Sequence, residues 1–296
     1  MRRPIVHGAT GAIRRLLTGT GLDHRVYALH LRRTYGARPL VVYSLPKVGS
    51  TTLLHTARAG GRAALPAHRL SPRGRAAEAT QREIHPPTLR STKVWRAGYG
   101  GLWRSEYLAR RFASTSPTDP KWEIVTGVRD PVARSISAFF HAGERSDNVD
   151  PTLAPDEVDL DELRARWVAT YWRGASFDWF SQELESTTGI DVFATPFPHA
   201  AGHETYANER FRVLLVRNED IDRVGAEALA RFLATPHRTP PASNRSDDKQ
   251  YGGIYRRFLD TLTVPDEILD HAYESRLAAH FYTPQERSAF RQKWTS

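Results

Sequence analysis

The sequence predicts an α/β protein built on a central, mostly parallel sheet flanked by helices, and three observations carry that reading. Four short apolar, β-branched-rich runs recur along the chain: LVVYSL (40–45), AALPAH (63–68), EIVTGV (123–128) and FRVLLV (211–216). Each has the length and composition of a strand. Helix-length segments separate them. Ser50 to Ala59, stopped by Gly60-Gly61, lies between the first two runs. VARSISAFFHAG follows the third, with Ile136, Phe139 and Phe140 at helical spacing. Strand and helix alternating in this order imply parallel strands joined by crossovers.

The other segments follow in chain order. Residues 70–92 are rich in Arg, Ser and Pro and read as a loop region or lid. DNVDPTLAPDEVDLDEL (147–163) is an acidic excursion that starts a helix near Asp159. TPHRTPPASNRSDDKQYGG (235–253) is long and turn-rich, a length often tied to function or disorder. The remainder reads as helices. No repeat or linker divides the chain, so residues 1–296 are expected to form one domain: an N-terminal helical extension (1–37) and a core (38–296) with a helical C-terminal part.

Composition bounds the chemistry. With 40% hydrophobic and 10% aromatic residues, the 296-residue chain can bury a sizeable core. It has no cysteine, which excludes disulfides, thiolate catalysis and cysteine-zinc sites. MRRPIVHGATGAIRRLLTGTG lacks the uninterrupted apolar run of a signal peptide. No stretch approaches the ~20 apolar residues of a membrane span. A cytoplasmic protein is the expectation. The net charge of +9 is mostly arginine and favours an anionic ligand, substrate or surface. Zinc-finger, RNA-recognition and leucine-zipper patterns are missing, so nucleic acid is not an expected partner.

Two stretches carry candidate chemistry. In VVYSLPKVGSTTLLHTAR (41–58) a strand feeds a small-residue turn and a helix N-terminus. Backbone N–H groups and the helix dipole make such a turn an anion cradle. Gly49 permits close approach of the backbone, and Ser50, Thr51 and Thr52 add hydroxyl donors. The common ATP-binding loop places its lysine after its glycines, whereas Lys47 precedes Gly49 and no earlier glycine lies in the strand. An ordinary ATP loop is therefore not expected; the bland alternative is a strand-to-helix turn with an exposed lysine. In VRDPVARSISAFF (128–140), Arg129 ends a strand and Ser137 follows eight positions later in a helix. The guanidinium fork suits phosphate, and the serine adds a hydroxyl. An Arg-Asp pair before an amphipathic helix would explain this segment alone, but not both segments in this order.

Together, PKVGSTTL and VRDPVARSISAFF resemble the two nucleotide-binding motifs of sulfotransferases that use 3′-phosphoadenosine 5′-phosphosulfate (PAPS). The resemblance extends to a bacterial sulfotransferase-like group assigned to capsular polysaccharide synthesis. Its segments are matched here by PKVGST, HRL (68–70), RDPVARSISAFF, DWFSQEL with GIDVFATPF (178–197), RNED (217–220) and HFYTP (280–284). It covers most of the chain beyond about residue 38. The resemblance implies a P-loop NTPase-like sulfotransferase fold, PAPS as co-substrate without a metal, and an acceptor hydroxyl on a glycan or glycolipid. It implies Lys47 at the bridging and sulfuryl oxygens, and Gly49, Ser50, Thr51 and Thr52 at the 5′-phosphate. Arg129 and Ser137 would hold the 3′-phosphate. Lys249, in NRSDDKQYGG, falls where such enzymes fold a basic loop over the nucleotide, with a solvated lysine as the alternative.

An acceptor hydroxyl must lose a proton, which asks for a general base. His68 is the first candidate, because it ends the strand expected beside the loop strand and ligands sit at the carboxyl ends of parallel strands. His85 and Glu83, in REIHPP, are the alternatives. His199 and His203 do not form a metalloprotease motif, and the acidic run 156–162 lacks the glycine spacing of a calcium loop. Two other functions stay open: a nucleotide-dependent phosphotransferase on the same architecture, and a non-catalytic nucleotide-binding partner in polysaccharide assembly.

Overall fold

The computed structural model describes residues 23–84, 92–143, 154–174, 177–236 and 251–295. Five strands form its sheet: β1 (Leu40–Tyr43), β2 (Ala64–Ala67), β3 (Trp122–Val128), β4 (His203–Ala207) and β5 (Phe211–Arg217). Their spatial order is β2-β1-β3-β5-β4. The four strands read from the sequence pair in parallel. β4 joins the β5 edge antiparallel. Its sequence, HETYA, is polar and mostly unburied, so it carries no apolar run to announce it. All four residues of β1 are buried, as a strand covered on both faces requires. Pro66 fits because β2 is an edge strand, where a missing N–H breaks no interior ladder.

The described helices are α1 (Asp23–Tyr35), α2 (Ser50–Ala59), α3 (Pro72–Ile84), α4 (Thr92–Ala113), α5 (Pro131–Gly143), α6 (Leu160–Gly174), α7 (Ala226–Leu233), α8 (Gly252–Thr261), α9 (Asp266–Tyr273), α10 (Arg276–Phe281) and α11 (Pro284–Thr295). A π-helical segment, Phe180–Glu185, runs into a single α turn, Ser186–Thr188, ahead of β4. The pleat sorts β1 between two cores. Leu40 and Val42 pack with Leu53 of α2 and with Leu229 and Phe232 of α7. Val41 and Tyr43 face Leu108 and Phe112 of α4, Trp179 and Phe281. A third core joins α5 to the C-terminal helices through Phe140, Trp167, Phe258 and Leu269.

One expectation is corrected. Residues 72–84 are the helix α3 and not a loop or lid. Pro72 occupies its first position, where a missing N–H costs nothing, and the Ala, Arg, Glu and Gln that follow are strong helix formers. The expected helix near Asp159 begins at Leu160, with Asp159 Oδ1 accepting from the amides of Asp161 and Glu162 at 2.9 and 3.0 Å. That capping role accounts for part of the acidic run. His203 lies in β4, while His199 Nε2 donates to the His280 carbonyl at 3.0 Å, so the two do not share a helix face.

Candidate functional site

The strand order fixes where a site can form. From β1 the chain crosses to β2 on one side, while β3 lies on the other. Loops leaving the carboxyl ends of β1 and β3 therefore part and open a crevice between them. The β1 loop is the Lys47-to-Thr52 segment, and the β3 loop begins at Arg129.

The β1 loop is shaped by two left-handed residues, Lys47 (φ +75°) and Gly49 (φ +83°). For lysine that conformation costs on the order of 1–2 kcal/mol, and such strain gathers at ligand clamps. Gly49 has a second constraint. A Cβ there would meet Asn218 Oδ1 at 2.7 Å and Ile221 Cδ1 at 2.8 Å. Gly127 of β3 is also required, since its Cβ would lie 2.6 Å from the Val48 carbonyl. Arg129 Nη1 donates to the Lys47 carbonyl at 3.3 Å and ties the two strand-end loops together. Gly49 caps α2 without a side-chain bond, and the first turn of α2 contains no acidic residue. The positive end of the helix dipole is thus left uncompensated by its own first turn.

These elements surround an open cleft of about 290 Å³. Lys47, Gly49, Ser50, Thr51 and Thr52 line it from the β1 loop and α2, Arg129 and Ser137 from the end of β3 and from α5, and His68 from the end of β2. Eight of the residues singled out from sequence therefore share one cleft. Three further residues line it: Pro46 of the β1 loop, and His141 and Asn218, which were missed. His141 was legible, because it follows Ser137 by one helical turn on α5. Asn218 was not, because its approach to Gly49 depends on β5 lying near β1. Among the described residues the lining includes no carboxylate. Cations, hydroxyls, imidazoles and a helix N-terminus make a site for an anion. Glu83 falls in the last turn of α3. His85 and Lys249 lie outside the described residues.

His68 is held in a defined tautomer. Its Nδ1 lies 2.7 Å from the Ser44 carbonyl, which can only accept, so Nδ1 carries the proton. In the neutral ring the lone pair is then on Nε2. Desolvation by the surrounding protein lowers the His68 pKa below its ordinary value, and the Ser44 carbonyl opposes that shift. The side chain remains exposed to the cleft, so water there moderates the effect. Trp179 Nε1 donates to the His68 carbonyl at 3.1 Å.

Leu70 and Ser71, just beyond His68, are fixed by Glu183, which is buried at 5% exposure. Its Oε2 accepts from the amides of Leu70 and Ser71 at 2.8 and 2.9 Å and from the Tyr43 hydroxyl at 2.6 Å. Its Oε1 accepts from Ser71 Oγ at 2.7 Å. A carboxylate from the π-helical segment thus pins the segment after β2 to β1 and orients Ser71, whose Oγ accepts from the Gly74 amide of α3 at 3.0 Å. Burial and the adjacent Glu183 charge push the Tyr43 pKa up, so Tyr43 serves as a donor.

The acidic residues of the other motifs brace the cleft. Asp130 accepts from the Val132 amide and the Tyr273 hydroxyl through Oδ1, at 3.0 and 2.9 Å, and from Trp294 Nε1 through Oδ2 at 3.3 Å. Burial raises its pKa, and those bonds oppose the rise. Glu219 accepts from the Asp130 amide at 2.8 Å and the Tyr282 hydroxyl at 2.9 Å. Arg217 is buried between Asp220, at 2.6 Å, and Glu286, at 2.8 Å. The RDP, RNED and HFY segments are therefore one bracket joining β3, β5 and the C-terminal helices.

Residues 174–283 match the family model described as "Putative capsular polysaccharide synthesis protein". The match spans well under half the chain and links it to capsular polysaccharide synthesis. It contains Trp179, Glu183, Arg217 and Glu219, which brace the cleft, and Asn218, which lines it, whereas the β1 loop, Arg129 and Asp130 lie outside it. Comparison with curated proteins and with solved structures finds no match. No described helix is long and apolar enough to cross a membrane.

Proposed function

We propose that this protein is a sulfotransferase that uses PAPS and modifies a hydroxyl of a capsular glycan or glycolipid. The observation that carries the reading is the convergence of the β1 loop, Arg129, Ser137 and His68 on one cleft whose lining, among the described residues, holds no carboxylate. The donor set fits a ligand with two separated phosphate groups. The α2 N-terminus with Ser50, Thr51 and Thr52 offers one anion site, and Arg129 with Ser137 offers another. PAPS, when bound, supplies a sulfuryl group on a phosphate leaving group. Lys47 is placed to neutralise negative charge that builds on the leaving oxygen, the kind of electrostatic aid that contributes most to group transfer. His68 Nε2 accepts the proton of the acceptor hydroxyl, because Nδ1 is already committed to Ser44. The walls hold the reacting groups in line and exclude part of the solvent. The capsular polysaccharide link of residues 174–283 supports a carbohydrate acceptor.

Calorimetric titration with 3′,5′-ADP and with Mg-ATP tests the reading. Preference for 3′,5′-ADP is expected. Preference for Mg-ATP would transfer the same cleft to a phosphotransferase.

A further inference from the structure

Most of the chain's net positive charge lies N-terminal to the cleft motifs. Its first 38 residues hold eight arginines, one aspartate and no lysine or glutamate, so they carry +7 of the net +9. Within this stretch α1 shows two distinct faces. Leu31 is buried at 3% exposure, Tyr27 packs on Trp103 of α4 with ring centroids 5.7 Å apart, and Tyr35 joins the same core. The 27, 31, 35 spacing is the inward stripe of a helix. The opposite face presents Val26 and Leu29, exposed at 47% and 49%. Arg25, Arg32 and Arg33 flank them and are exposed as well. Among the described residues Trp172 is the other large exposed hydrophobic. Two of these three side chains thus share one basic face.

We propose that this face of α1 docks the protein on an anionic lipid bilayer. The inference stands apart from the proposed catalytic activity, since it uses none of the cleft residues. Charge complementarity selects an anionic partner, and the exposed apolar pair selects among anionic partners. A soluble polyanion such as nucleic acid or an acidic polysaccharide would neutralise the arginines and leave Val26 and Leu29 in water. A second copy of the chain would bring like charges together. A bilayer accepts both features, taking Val26 and Leu29 at the acyl boundary while the guanidinium groups reach the phosphates. Basic residues near an anionic leaflet add to such binding one by one. An acceptor carried on lipid would then be met at the surface where it is anchored.

The test is sedimentation of the full chain with vesicles of phosphatidylcholine alone and of phosphatidylcholine mixed with phosphatidylglycerol, at low and high salt. Binding is expected to the mixed vesicles only, with release at high salt. Arg25→Gln, Arg32→Gln and Arg33→Gln together should weaken partitioning about 100-fold. Val26→Ser with Leu29→Ser, which keeps every charge, should weaken it about 10-fold. All five positions are exposed, and circular dichroism checks that the variants fold. Unchanged partitioning of the Val26→Ser, Leu29→Ser variant would reassign the arginines to a soluble polyanion and overturn the proposal. Failure of the intact chain to bind mixed vesicles, or equal binding to neutral ones, would overturn it too.

Discussion

Replacing Gly74 by alanine inside α3 should destabilise the protein, against the ordinary preference of helices. In a helix interior Ala is favoured over Gly by up to about 1 kcal/mol. Here a Cβ would fall 1.8 Å from Glu183 Oε1, and that carboxylate has no slack. It accepts four hydrogen bonds, from Tyr43, Leu70, Ser71 N and Ser71 Oγ. Bonds to a charged acceptor contribute ~1.5–3 kcal/mol each, so displacing the carboxylate far enough to lose two of them costs ~3–6 kcal/mol. After the helix-propensity gain, a net loss of ~2–5 kcal/mol remains. That is a large part of the ~5–15 kcal/mol typical of a domain. Urea denaturation of the parent, Gly74→Ala, Glu183→Ala and the double variant gives a double-mutant cycle. With the carboxylate removed, the nearest of the other atoms given for that Cβ is the Arg69 Cβ at 3.1 Å, a close contact but no overlap, and the cost should fall sharply. If Gly74→Ala is stabilising, or costs the same in both backgrounds, the proposed clamp is wrong.

Two other outcomes concern the chemistry. Lys47→Ala should lower the release of 3′,5′-ADP from PAPS in the presence of an accepted glycan by ~10²–10³-fold, with nucleotide binding retained; near-parental turnover would remove Lys47 from the step. His68 must be neutral to take a proton, and its pKa is held below the ordinary ~6.5. The rate should therefore stay level as pH falls to about 6.5 and drop only below it, when the ring takes up a proton. His68→Ala should lower the rate ~10²–10⁴-fold and abolish that limb, whereas an acid limb that persists in the variant would assign the base elsewhere.

Much of the fold was legible because its signals are local. The four parallel strands are apolar along their length, since helices cover both faces of the sheet, and each motif loop adjoins its own strand. β4 escaped because an edge strand half open to water needs no apolar run. α3 escaped for a different reason. The Arg, Ser and Pro of residues 70–92 read as a loop, yet Pro72 sits where helices accept proline and Gly74 makes room for a carboxylate. Glu183 itself could not be found from sequence. Its partners Tyr43, Leu70 and Ser71 are 140, 113 and 112 positions away, and only the folded chain assembles them. The same holds for Asn218 against Gly49. Lys47, Arg129, Ser137 and His68 were legible because each stands at a strand end or on the helix that follows, where parallel sheets place their ligands.

Calorimetry with 3′,5′-ADP and 5′-AMP on the parent and Arg129→Ala asks whether the proposed site grips two phosphate groups of one nucleotide. The two ligands share the 5′-phosphate that the α2 N-terminus should hold, and only the first carries the 3′-phosphate assigned to Arg129. A charge-assisted bond is worth ~1.5–3 kcal/mol, so the parent should bind 3′,5′-ADP about 10- to 150-fold more tightly than 5′-AMP. Arg129→Ala should erase most of that difference while leaving 5′-AMP binding nearly unchanged. Equal affinity of the parent for both nucleotides, or equal losses for both in the variant, would contradict the account.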